Sequence, residues 1–417
     1  MSTIATGSQA DLGYMLEGAA TYGQAPTGTR YKSVRRKSAA GLNLTKDTYD
    51  SEEVRSDRML ADSRHGVRRA TGDVETEISP GSYDDFFLAL LGSADIHGAN
   101  GGWTLGAATE TTDSVTFAAA PANTITRATS FITAGFRIGD RITIANSVSP
   151  NNGDATIIGI SSNGLVLTVD RALGNDTGTA TITVKGKKAL VGAVYNSFTL
   201  ERAYMDLATP KYQYFTGMRV NSAAVSLPPT GLATITWNFL GKDASALGDT
   251  PISGQALVNG KPYTASNTNA VLAAVNGVIA ISDTNGSRTL ATVTELNFTV
   301  DNQLGGSEVV GQNVIPEALW GNTQMVTGKV TVLFEDEKMY NLFHDEGEAS
   351  LMFRMDSPPS LPGGFLSFTF PRCKFNSGAI GDAVATGLPV EMEFRALLPH
   401  AASTAHDASQ IVIQTNV

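Results

Sequence analysis

Between Phe215 and Gly241 the chain reads FTGMRVNSAAVSLPPTGLATITWNFLG. Ile235, Trp237 and Phe239 alternate with Thr234, Thr236 and Asn238, the period of a strand with one dry and one wet face. Pro228, Pro229 and Gly231 punctuate a turn before it, so the stretch predicts two strands around a turn. The pattern returns later in the chain. Moved on by 155 positions, Phe215 falls on Phe370, Arg219 on Lys374 and Asn221-Ser222 on Asn376-Ser377. Ile235, Trp237 and Phe239 fall on Val390, Met392 and Phe394.

A second echo runs at another offset. Thr71 to Ile78 (TGDVETEI) becomes Thr327 to Phe334 (TGKVTVLF) after 256 positions, and Tyr83, Phe86 and Phe87 correspond to Met339, Leu342 and Phe343. The offsets differ by 101 positions, so the first copy must hold about a hundred extra residues between its helix and its later strands. The stretch from Gly92 to Gly192 meets that demand. It carries short apolar runs such as Val115–Phe117, Arg141–Ile144, Thr156–Ile160, Leu165–Val169 and Thr179–Val184. Gly, Asn and Asp mark the turns between them, as expected of a small antiparallel barrel or sandwich.

The remaining elements follow from the same patterns. Residues 1–30, rich in Gly, Ala, Thr and Ser, read as a flexible arm. Tyr31–Leu44 reads as a strand, Thr45–Asp62 as a charged loop, and His65–Ile78 as the next strand. Ser82 is placed to cap a helix in which Tyr83, Phe86, Phe87, Leu90 and Leu91 form one apolar stripe. The expected organisation is an arm at 1–30 and a first module at 31–92 and 192–242. An insert spans 93–191, a connector 243–289 with a strand pair around Ile279 and Leu290, and a second module 290–417. The fold class is mainly β: two tandem sandwich modules, each with one short helix, plus an inserted small β domain.

Charge and chemistry narrow the function. The net charge is −10, and from Glu295 to Val417 there are 15 acidic against 6 basic residues. Such a balance argues against a nucleic-acid grip, which needs a basic footprint. Cys373 is the only cysteine, so neither a disulfide framework nor a cysteine zinc site is expected. No apolar run approaches the ~20 residues that span a bilayer, and the N-terminus lacks the regions of a signal peptide. The five histidines show no metal-ligand spacing, and no phosphate-binding Gly-rich loop occurs. Glu391 and Glu393 have the spacing of a glycosidase pair but no aromatic sugar platform, so a glycoside hydrolase is a minor alternative and no enzyme is expected. A receptor-binding or adhesin-like surface protein is the other alternative. No cofactor or metal is expected.

Asp73, Glu75 and Glu77 share one strand face opposite Val74, Thr76 and Ile78; Glu391, Glu393 and Arg395 alternate likewise with Val390, Met392 and Phe394. Rows of like charge on a strand repel one another and must be hydrated, which fits a wall along a water-filled passage.

Taken together, these pieces resemble the tail tube protein of long-tailed, non-contractile bacteriophages. Ser51–Trp103 (SEEVRSDR … ATGDVETEISPGSYDDFFLALLG … W) and Ser197–Asp243 (SFTLERAYMD … YFTGMRVNSAAVSL … ITWNFLGKD) carry the likeness best. With the second copy they cover about three quarters of the chain. The duplication departs from members that hold one module, and an external extra domain matches the insert.

The resemblance implies a structural virion protein of the tail, made in the host cytoplasm, whose rings stack into a hollow tube for DNA delivery. Six modules per ring imply a homotrimer with pseudo-sixfold symmetry; a hexamer of full chains is the alternative. Implied partners are further copies of the chain, a tape-measure protein inside the tube, and tail tip and tail terminator proteins, with phage DNA passing unbound. The bore candidates are Asp73, Glu75, Glu77, Glu391 and Glu393. The ring-stacking candidates are Glu52, Glu53, Arg55, Asp57 and Arg58, with Ile411, Val412 and Ile413 as an added strand.

Overall fold

The computed structural model describes residues 4–18, 20–38, 41–94, 96, 103, 110–148, 150–283, 286–290, 293–321, 323–335, 337–358, 364–381, 387–400 and 405–416. The first copy opens with β1 (Ala10–Leu16), β2 (Lys32–Ser33), β3 (Asn43–Asp50), β4 (Ser63–Glu77) and helix α1 (Asp84–Leu91). Six strands follow: β5 (Glu110–Ala118), β6 (Thr124–Arg127), β7 (Arg141–Ala145), β8 (Gly153–Ile160), β9 (Val166–Val169) and β10 (Asp176–Val184). The first copy resumes with β11 (Lys187–Leu190), β12 (Phe198–Tyr204), β13 (Lys211–Leu227), β14 (Thr234–Gly241) and β15 (Asp243–Ala244). The second begins with β16 (Gly277–Asp283), β17 (Gly286–Leu290), β18 (Val293–Asp301), β19 (Leu304–Gly306), β20 (Ala318–Trp320) and β21 (Met325–Leu333). It ends with α2 (Lys338–His344), β22 (Glu348–Asp356), β23 (Phe365–Phe375), β24 (Ala379–Ile380), β25 (Pro389–Ala396) and β26 (Val412–Thr415).

The protein is mainly β, in two layers around a shared core. One layer is a continuous antiparallel wall in the order β4–β14–β13–β18–β21–β25. The two sequence offsets carry one half of this wall onto the other. Gly72 pairs with Phe239, and Gly328 with Phe394; Ala224 pairs with Thr236, and Ala379 with Glu391. β13 and β23 are the long strands that cross between layers. The first half of β13 pairs with β12, its second half with β14 and β18. The second layer is β2–β1–β12–β13 in the first copy and β17–β16–β22–β23–β26–β11 in the second.

Helix α1 is packed between the layers because its apolar side chains cover nearly its whole circumference: Phe86 through Leu91 are all buried. The ring of Phe86 lies 4.8 Å from Tyr14 and 5.2 Å from Phe198 in one layer, and 5.5 Å from Trp237 and 5.4 Å from Phe239 in the other. Tilted and edge-on aromatic packing of this kind joins the layers through large apolar side chains. Phe87 reaches Trp237 at 5.0 Å and Phe368 at 5.9 Å, which ties the two copies together.

The insert closes into a six-stranded barrel, β10–β5–β6–β9–β8–β7, around its own core of Phe117, Ile125, Phe131, Phe136, Ile142 and Leu167 among others. It docks mainly on the second copy, with Lys188 of β11 adding a contact from the first. Ile158 packs on Ala280 and Met352, and Arg354 forms an ion pair with Asp170, their side chains 7% and 4% exposed. Lys188 is buried between Asp140 and Asp407, at 3.1 Å from the latter. With the core on one side and the barrel on the other, β22 is buried from Ala349 to Met355.

Several elements differ from the sequence expectations. The stretch read as a flexible arm contains β1, paired residue by residue with β12 and fixed by the buried side chains of Leu12 and Tyr14. Gly13 leaves room for the Tyr263 ring, which a Cβ there would meet at 2.5 Å. Within Tyr31–Leu44 the described strands are Lys32–Ser33 and the first two residues of β3, which starts at Asn43 and continues to Asp50 through the stretch expected to be loop. Ser82 does not cap α1. Its hydroxyl hydrogen-bonds with Ser79 at 3.1 Å and Asn267 at 2.9 Å, and Tyr83 holds the N-cap position without a side-chain bond. In the connector, Ile279 pairs directly with Leu290. Ile411, Val412 and Ile413 are no more than 5% exposed, and β26 is paired on both edges, by β11 and β23. They belong to the core of the chain, leaving neither an edge nor exposed side chains for a stacking contact.

Candidate functional site

The wall has a dry face and a wet face, and strand alternation sorts the residues between them. Val74, Trp237, Val225, Phe298, Val330 and Met392 face the core, all no more than 3% exposed. Their neighbours in sequence form cross-strand rows on the other side. One row runs Glu77–Thr234–Ser226–Asn297–Lys329–Glu393, and another Glu75–Thr236–Ala224–Thr299–Thr327–Arg395. Each row spans six strands from both copies, about 24 Å at the usual strand spacing. The wet face is concave: a trough of about 560 Å³ is lined by Ser226, Thr236, Asn297, Thr299, Lys329 and Glu393, among others.

Seven carboxylates lie on this face: Asp73, Glu75, Glu77, Glu295, Asp301, Glu391 and Glu393. Three cations answer them, Lys329 and Arg395 from the wall strands and Lys37 beside Glu75, so four net negative charges remain among these groups. The five residues singled out in the sequence therefore do share one surface, three at one end of the wall and two at the other. Local partners hold several in place. Lys37 pairs with Glu75 at 2.7 Å, and Asn238 Nδ2 donates to Asp73 at 2.6 Å. Lys329 pairs with Glu391 at 2.7 Å, and this hydrogen bond raises the ammonium pKa above its usual value. Glu295 and Asp301 were not singled out by sequence, although Leu296, Phe298 and Val300 alternate between them and mark β18.

The rim beside the wall carries the β3–β4 loop. Glu52, Glu53, Arg55, Asp57 and Arg58 are all exposed there, with Arg55 bound to Asp57 at 2.6 Å and Arg58 in the left-handed region at φ 61°. Exposed apolar side chains accompany them: Val54 at 98%, Met59 at 68% and Leu60 at 61%. A second loop leans on the base of this hairpin. Asn313 accepts from the Arg68 amide at 2.9 Å, Arg69 pairs with Glu308 at 3.1 Å, and Val310 at its tip is fully exposed.

The buried titratable groups serve the fold. Glu17 accepts from Ser197 Oγ at 2.7 Å, Thr199 Oγ1 at 2.8 Å and the amides of Gly23 and Gly217 at 2.7 Å. It thereby ties the N-terminal segment to β12 and β13, and burial raises its pKa despite these bonds. Burial likewise pushes the Cys373 thiol up. Among the described residues no group of His, Cys, Asp or Glu is placed to hold a metal ion, and no helix is long and apolar enough to cross a membrane.

A family model described as phage tail tube protein matches residues 7–396. No curated protein matches the chain.

Proposed function

The chain belongs to the phage tail tube protein family, and on that premise we propose that its copies close into rings whose stacked bores carry phage DNA to the host. The protein is a structural component of the virion tail. The observation that carries the finer reading is the concave wet face, which runs unbroken across both copies and holds seven carboxylates.

Three chains form the ring in this reading. The six wall strands with β3 and β24 at their flanks give eight per chain, hence 24 around the ring. At a spacing of ~4.8 Å and a tilt of ~40°, the barrel measures about 48 Å across its backbone. Six full chains would double that width, so tube diameter separates the two geometries. In this reading each three-chain ring brings about twelve net negative charges to the bore. They repel DNA phosphates within roughly 8 Å of the wall at physiological salt, which keeps the duplex from adhering as it slides. The inserted barrel, on the opposite layer from the wet face, decorates the tube exterior.

Stacking falls to the loop holding Glu52, Glu53, Arg55, Asp57 and Arg58, where burial of Val54, Met59 and Leu60 adds to charge pairing. A head-to-tail contact between rings is heterologous and extends as a helix when it does not close. The likeness to non-contractile tails adds a tape-measure protein in the bore and tip and terminator proteins at the ends. Electron microscopy of the purified protein, with mass measurement of an isolated ring, tests the proposal. Hollow tubes built from three-chain rings are expected; solid fibres, or a protein that never polymerises, would refute it.

A further inference from the structure

The chain contains a joint between its own two copies, formed by β13 and β18. Inside the chain, the second half of β13 pairs with β18: Ser222 with Asp301, Ala223 with Val300, Ala224 with Thr299, Val225 with Phe298 and Ser226 with Asn297. Each partner has a counterpart in the other copy. The shift of 155 carries Ser222–Ser226 onto Ser377–Gly381, and the pairings agree: Val225 with Ile235 becomes Ile380 with Val390. The shift of 256 carries 41–45 onto 297–301. Here Asn43 with Thr71, Leu44 with Ala70 and Thr45 with Arg69 become Thr299 with Thr327, Val300 with Val326 and Asp301 with Met325.

These counterparts stand at the two ends of the wall. Among the described residues β24 pairs only with β25, and β3 only with β4. Burial records the difference. Val225, covered by β18, is 3% exposed, whereas its counterpart Ile380 is 47% exposed. Phe334 and Leu388, at 43% and 39%, join it in an exposed apolar strip beside the same edge. An edge strand of this kind is a template for another chain.

We propose that the seam between chains repeats the internal joint. Ser377–Gly381 of one chain pair antiparallel with Gly41–Thr45 of a second copy, Ser377 opposite Thr45, Ala379 opposite Asn43 and Gly381 opposite Gly41. The register follows from the internal pairing, and it keeps the faces consistent. Ala379 and Asn43 fall on the wet face like Ala224 and Thr299, and Ile380 turns to the dry face like Val225. The seam rests on the ring reading given above, and it makes the wall continuous from one chain to the next.

Directly opposed positions on antiparallel strands are close enough for a disulfide. The test therefore starts from assembled full-length protein carrying Asn43→Cys and Ala379→Cys. Ala224→Cys with Thr299→Cys, which must close within one chain, serves as the positive control. Oxidation is expected to link chains of the first variant into covalent multimers, while Asn43→Cys with Ser377→Cys, two residues out of register, stays monomeric under denaturing electrophoresis. Cys373 is buried and does not compete. Hydrogen exchange on the unmodified protein gives a second readout: the amides of 41–45 and 377–381 gain protection on assembly. Tubes that form without the in-register cross-link, or with the out-of-register one instead, or without added protection, overturn the seam and leave the ring reading standing. Absence of rings or tubes from the unmodified protein overturns both.

Discussion

If the wet face lines the bore, reversing its charge converts a passage into a trap. The most informative variant is Asp73→Lys, Glu77→Lys and Glu295→Lys together. Each of these residues faces a neutral partner across the sheet: Asn238, Thr234 and Thr331. The variant also leaves the Lys37–Glu75 and Lys329–Glu391 pairs intact. Since the positions are exposed or half-buried, the cost to folding should stay near ~0.5 kcal/mol per site. The wall then passes from four net negative charges per chain to two net positive. With three new lysines available to phosphates, log affinity should fall with log salt at a slope of about −2.7, or roughly 40-fold weaker binding from 50 to 200 mM. The assay is co-sedimentation of assembled tubes with a labelled short duplex at both salt concentrations. Unmodified tubes should retain none, and variant tubes should retain it at low salt. Duplex blocked at both ends by a bulky protein cannot enter a bore and should not be retained by either. Variant tubes of normal diameter that retain no DNA, or that retain blocked and open duplex alike, would refute the placement of this face.

Other predictions bear on the fold. Phe86→Ala removes a ring that touches four aromatic neighbours in two layers; it should cost about 3–5 kcal/mol. Calorimetry should show the transition of the body lowered and that of the separately cored barrel unchanged. Arg354→Met leaves Asp170 buried without its counter-charge, a loss of about 3–5 kcal/mol, and Arg354→Met with Asp170→Leu should recover most of it. Denaturant titration of both variants checks this, and equal losses would deny the pair its role in docking the barrel. Asp84 has its pKa raised to about 6, by burial first and by the neighbouring Asp85 second. The folded chain thus holds this proton while the unfolded chain has lost it, so stability falls as pH rises from about 4 to 6. Asp84→Asn should therefore raise the melting temperature at pH 7 more than at pH 4.5; an equal shift at both would contradict the assignment.

Much of the architecture was legible because duplication repeats a pattern. Alternation fixed which side chains of β14 and β25 face inward, and two unequal offsets revealed the insert. The acidic row of β4 was visible for the same reason, since each carboxylate is separated from the next by one buried residue. What escaped was decided by distant partners. β1 pairs with residues some 190 positions away, and its Gly13 matters only because Tyr263 lies over it. β18 carries the same alternation in Leu296, Phe298 and Val300, but only its pairing with β13 and β21 puts Glu295 and Asp301 in the wall. Ile411–Ile413 look like an external strand at a chain end, and only the presence of β11 and β23 on either side makes them core. Ser82 has the chemistry of a cap, but Ser79 and Asn267 compete for its hydroxyl.

The β13–β18 joint forms within a single polypeptide, so it is already closed when the chain finishes folding. Tethering gives its two strands an effective concentration that separate molecules in a cell do not reach. On the proposed geometry every second closure around the circle is then inherited from translation, and only the alternate ones wait on collision. Fusion also frees the halves to diverge. One can carry the barrel while the other supplies its landing surface, a division of labour that identical repeats could not evolve.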